Sequence, residues 1–159
     1  MKPSKPVRLY NVLFPIWAFW LWPSPLWLIL LAGNFAIDSL VVCLAAGKGR
    51  RARVWKGSIL RVWLLGYACD LVGAMVCLFS LFAADALIPA QAGMASLILF
   101  PGNVLVALPG VLVAGVLLYF CNRWWSFRRC GLDAAEIHRL SLALAVFTAP
   151  WTMLIPIYG

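Results

Sequence analysis

Four side chains able to hydrogen-bond or exchange a proton stand inside otherwise apolar stretches: Asn34, Asp38, Asp70 and Asn103. Polar groups at such depth in a bilayer are costly and face a bundle interior or a water-filled cavity. At 1.5 Å per residue, Asp38 lies about 12 Å and Asp70 about 18 Å from the basic ends of their segments. One reading makes Asp38 and Asp70 a cation or proton site, with Asn34 and Asn103 adding amide dipoles. Pro101 and Gly102 would free backbone carbonyls beside Asn103, as interrupted helices do at transporter sites. The other reading is structural, and it is the preferred one. It pairs Asp38 with Arg61 and uses the amides as bonds across helices.

Other chemistry finds little support. His138, with Asp133 and Glu136 within two helical turns, raises acid–base work at an interface. A single histidine beside Arg139 reads more simply as a membrane-surface anchor. The five cysteines, Cys43, Cys69, Cys77, Cys121 and Cys130, form no C-x-x-C pair, and their number is odd. They read as small apolar packing residues rather than as disulfides or metal ligands. No phosphate-binding loop, nucleophile elbow or H-E-x-x-H helix occurs. The sequence therefore assigns no catalytic residue, no cofactor and no metal, and it reads as a non-enzyme.

Gly33-Asn34 followed by Asp38 is similar to the G-N-x-x-D stretch of lipoprotein signal peptidases, which are four-span proteins of this length. The resemblance would imply an aspartyl protease using Asp38. The spacing here is one residue longer, and the F-N-x-A-D element carrying that family's second aspartate is absent. The topology inferred below also differs, so a protease is set aside.

The elements that must position these residues follow from composition. The chain has 159 residues, 65% hydrophobic and 11% charged, with mean hydropathy +0.96. Soluble domains carry about 25% charged residues, so a soluble, disordered or disulfide-scaffold protein is excluded. The fold expected is an all-α integral membrane protein forming a single membrane domain over 1–159. A span needs about 20 apolar residues, and four stretches qualify: 26–46, 58–82, 94–120 and 134–157. Asp133 and Glu136 mark the start of the last as a cap and an acidic first-turn residue. Residues 9–22 are too short for a full span, with Trp17, Trp20 and Trp22 favouring an interface. They are expected to form a short N-terminal membrane helix, re-entrant or a fifth span, that turns at Pro23-Ser24-Pro25. No small-residue cleavage site follows, and Asn34 stands where a lipobox would have cysteine, so an uncleaved, unlipidated start is expected.

The charge balance is 13 Lys/Arg against 5 Asp/Glu. The basic residues gather at span ends, which argues for the positive-inside rule rather than nucleic acid. Lys48, Arg50, Arg51, Arg53 and Lys56 fill one short loop, and Arg123, Arg128 and Arg129 lie in another. Both loops are expected in the cytoplasm against anionic lipid. That places the N-terminus inside and the C-terminus outside, with residues 83–93, including Asp85, as an outer loop. A bacterial inner membrane fits the compact size.

A parallel duplication of a helical hairpin is a further expectation. Leu28-Ile29-Leu30 and Gly33-Asn34 match Leu97-Ile98-Leu99 and Gly102-Asn103 at an offset of 69, shared by Trp55 and Trp124. Small-residue pairs four apart, Gly73/Cys77 and Gly110/Ala114, would permit close helix packing. Two functions remain. The favoured one is a structural or accessory membrane subunit with a larger membrane partner. The alternative is a small oligomeric transporter or channel centred on Asp38 and Asp70.

Overall fold

A computed structural model describes residues 25–87, 97 and 101–154. The expected N-terminal helix at 9–22, the first two residues of its proline turn, and most of 88–100 lie outside the described residues, as do 155–159. Within them the chain is all-helical, without strands. Helix α1 spans Pro25–Ala45, α2 Arg51–Leu87, α3 Gly102–Cys121 and α4 Ala134–Phe147. A π-helical turn, Asn122–Ser126, continues α3, and a 3-10 turn, Trp151–Leu154, follows α4.

Local chemistry explains most boundaries. Pro25 opens α1, where a missing N–H removes no helical bond. Asp133 caps α4, its Oδ1 accepting from the Glu136 amide at 2.7 Å, as the sequence led us to expect. Gly131, at φ +65°, takes the left-handed backbone that turns the chain toward that cap. Thr148 returns its hydroxyl to the Leu144 carbonyl at 2.9 Å, and Pro150 then prevents further winding.

Two helices are long and apolar enough to cross a membrane. These are α2, with 37 residues, and α3 with its π turn, Gly102–Ser126, with 25. The span expected over 58–82 is therefore part of a longer helix. At 1.5 Å per residue α2 runs about 55 Å, well beyond a 30 Å hydrocarbon core. Nothing between Arg51 and Leu87 stops it, because arginine and lysine are good helix formers and no proline intervenes. Arg51, Arg53, Lys56 and Asp85 are consequently helical rather than in loops. Of the stretch expected over 134–157, residues 134–147 form α4 and 151–154 a 3-10 turn. Helix α4 has 14 residues, about 21 Å, and ends before Pro150.

The described chain packs most extensively along α2 and α3. The small-residue pairs meet there. A Cβ on Gly73 would stand 2.8 Å from both the Ala114 Cβ and the Gly110 carbonyl oxygen. One on Gly110 would collide with the Cys77 sulfur and the Gly73 carbonyl. The two backbones thus touch, which only glycine at these positions allows. The basic end is closed by Val42, Val54, Val62, Phe127, Leu140 and Leu144, all buried, which tie α1, α2 and α4 to the turn after α3.

The residues matched by the 69-residue offset occupy unlike places. Asn34 lies well inside α1, whereas Asn103 is the second residue of α3. Trp55 is half-buried on α2, and Trp124 is exposed on the π turn.

Candidate functional site

Helices α1 and α2 bring three of the five candidate polar residues together. Asn34 Nδ2 donates to Asp70 Oδ2 at 3.3 Å. One turn along α1, Asp38 meets α2 at Gly66, where a Cβ would stand 3.4 Å from Asp38 Oδ2. The pairs Asn34/Asp38 and Gly66/Asp70 are each four apart, so each shares one helix face, and the antiparallel register sets them opposite. Asp38 and Asp70 are each 5% exposed and lie within electrostatic reach of one another. Thr148, whose hydroxyl donates to the Leu144 carbonyl, lies beside Asp38. Asp70 Oδ1 is buried and has no hydrogen-bond partner among the described residues.

The other two candidates lie elsewhere. Asn103 Nδ2 donates to the Leu154 carbonyl at 2.8 Å, tying the start of α3 to the 3-10 turn. Its Oδ1 is buried without a partner among the described residues. Arg61 does not pair with Asp38. Its Nη1 reaches the Ser126 carbonyl of the π turn at 3.5 Å, and the ion pair found among the described residues is Arg50–Glu136. The reason is position. Arg61 lies one turn nearer the basic end than Gly66, where the π turn offers an oxygen acceptor and keeps the guanidinium near water.

The basic cluster is as exposed as a lipid or solvent face requires. Lys48, Arg50, Arg51, Arg53, Lys56, Arg123, Arg128 and Arg129 are all exposed. Arg50 forks onto Glu136, one of its bonds measuring 2.9 Å, and so pins the α1–α2 turn to the start of α4. His138 parts from Asp133 and Glu136 and joins α3. The Tyr119 hydroxyl lies 2.8 Å from His138 Nδ1, and Arg123 Nη1 donates to that hydroxyl at 2.6 Å. Arg123 also approaches Nδ1 at 3.4 Å.

Sequence reasoning missed a buried polar group inside the second basic loop. Asn122 and Ser126 are fully buried. Asn122 Nδ2 donates to the Leu118 carbonyl at 2.9 Å, and Ser126 Oγ donates to Asn122 Oδ1 at 2.7 Å. Their spacing of four after an apolar helix was the available signal. Ser58 is buried on the facing helix, donating to the Val54 carbonyl at 2.8 Å. Beside it, burial pushes the Cys130 thiol upward, while the Arg61 charge and a Ser58 hydrogen bond oppose the rise. Cys69 and Cys121 are hydrogen-bonding neighbours, and both are free thiols. No three His, Cys, Asp or Glu side chains gather into a metal-ligand group among the described residues.

No protein-family model matches this chain, and no curated protein or solved structure matches it significantly.

Proposed function

We propose that this chain is a non-enzymatic integral membrane protein of structural or accessory type. It packs in lipid and against a second copy or a larger membrane protein. The observation that carries this reading is the separate use of each intramembrane amide. Asn34 bonds α1 to α2, and Asn103 bonds α3 to the 3-10 turn. Trp63 Nε1 adds a bond to the Leu31 carbonyl at 3.1 Å, and Cys77 Sγ one to the Ala107 carbonyl at 3.3 Å. Polar groups distributed in this way act as fasteners between helices. Four spans would then be α1, α2, α3 with its π turn, and α4 with the 3-10 turn. The shared basic end is cytoplasmic by the positive-inside rule, and a bacterial inner membrane suits the short connections.

A second reading rests on Asp70. A buried carboxylate oxygen without a partner, near a second carboxylate, offers oxygen ligands to a small hard cation or a proton path. Ion flux into liposomes containing purified protein separates the two. The accessory reading expects no proton or cation flux, and a lower melting temperature for Asn34→Ala. Flux that Asp70→Asn or Asp38→Asn abolishes, with the fold intact, would replace it with transport.

A further inference from the structure

We propose that the α3–α4 seam and the π turn form a binding site for one anionic phospholipid molecule. The inference rests on the membrane reading above and adds a ligand to it. Its polar half is a groove of about 480 Å³ lined by Arg123, Arg128, Trp124 and Trp125 of the π turn region and Ile137 of α4. Two guanidinium groups stand there with two exposed indoles, and among the described residues no carboxylate lines the groove. Guanidinium matches phosphate in shape and charge, and tryptophan prefers the headgroup level of a bilayer.

The apolar half is a second groove, of about 350 Å³, between α3 and α4. It runs along α3 from Tyr119 and Phe120 to Val111, with Trp151 among its walls. From Val111 to Phe120 the helix rises about 14 Å. Half a 30 Å hydrocarbon core, the depth one acyl chain fills, is about 15 Å. Gly115 lines the floor, where a Cβ would make ordinary contact with the Ala145 carbonyl oxygen at 3.7 Å and the Ala149 Cβ at 3.9 Å without a clash.

The halves are joined twice. The Phe120 ring, in the apolar groove, lies 5.0 Å from the Trp124 ring of the basic groove. Tyr119, also in the apolar groove, holds Arg123 through its hydroxyl at 2.6 Å. A basic headgroup pocket opening onto a chain-length apolar channel fits an amphipathic anion. It fits a free phosphate less well, since that would leave the apolar half empty. A partner helix would find two arginines at its end of the seam.

The test uses the full chain in vesicles of phosphatidylcholine with a minority of spin-labelled phosphatidylglycerol or spin-labelled phosphatidylcholine. Electron paramagnetic resonance then gives the motionally restricted fraction of each lipid. Wild type is expected to prefer phosphatidylglycerol. The preference should fall about fivefold for each arginine removed in Arg123→Gln and Arg128→Gln. Gly115→Leu, which fills the channel, should lower the restricted fraction while leaving the vesicle-bound protein intact. Arg51→Gln with Arg53→Gln removes two exposed charges outside the grooves and should lower the preference less than either groove arginine does. Equal loss in that control, or no preference in wild type, would overturn the site. Protein that fails to float with the vesicles would overturn the membrane reading itself. Restriction of both lipids that Gly115→Leu leaves unchanged would assign the seam to a protein partner and overturn the lipid.

Discussion

Helix α2 meets its two long neighbours across different kinds of seam. Against α3 it offers Gly73 and Cys77 to Gly110 and Ala114, and the backbones touch. Against α1 it offers Asp70 and Gly66 to Asn34 and Asp38, and the contact is polar. The first seam is held by shape. Lipid tails are as apolar as leucine, so close packing and backbone approach supply the attraction. The second is held by hydrogen bonds, from Asn34 to Asp70 and from Trp63 to the Leu31 carbonyl, yet one Asp70 oxygen has no partner among the described residues. A shape-held seam tolerates no added volume. A bond-held seam tolerates volume and is sensitive to chemistry.

Substitutions can break this contrast. The largest effect is expected at Gly110→Val, whose Cβ meets the Gly73 carbonyl and the Cys77 sulfur. Backbone cannot swing aside, so overpacking should cost about 3 kcal/mol or more, read as a large fall in melting temperature in detergent. Asn34→Leu keeps the volume and removes the donor to Asp70. It should cost about 1 kcal/mol, in line with interhelical bonds in membranes. A Gly110→Val protein as stable as wild type would show that the α2–α3 seam can shift.

Smaller effects lie at the basic end. Arg50 is half exposed, so Arg50→Gln should cost under about 1 kcal/mol despite the fork onto Glu136. The difference from wild type should shrink as salt is raised. The Cys130 thiol, pushed up by burial, carries less thiolate at pH 8 than a free cysteine would, so its alkylation should be slow. Removing the opposing charge in Arg61→Gln should raise the thiol further and slow alkylation again. Faster labelling in that variant would show that Arg61 shields the sulfur sterically.

The two seams also differ in how far the sequence announced them. Gly73/Cys77 and Gly110/Ala114 were visible as pairs, because spacing of four is a property of one helix. Their facing one another was not, since it depends on the register between two helices. Asp133 was readable as a cap for the same local reason. Residue type and depth in an apolar stretch group Asn103 with Asp70, but its bond to the Leu154 carbonyl spans 51 residues and has no local signal. Arg61 was assigned to Asp38 because the π turn that supplies the Ser126 carbonyl could not be anticipated from a basic loop. The full length of α2 is not legible in hydropathy, because charged residues end an apolar stretch without ending a helix.

The central claim is that the intramembrane polar residues fasten helices to one another. A double-mutant cycle on Asn34→Ala and Asp70→Ala, measured by unfolding in mixed detergent, tests it most directly. The account predicts a coupling of about 0.6–1.7 kcal/mol, the range of such bonds in membranes, with liposomes containing the wild type remaining ion-tight. Additive effects with no coupling, or ion flux lost only in Asp70→Ala, would contradict it.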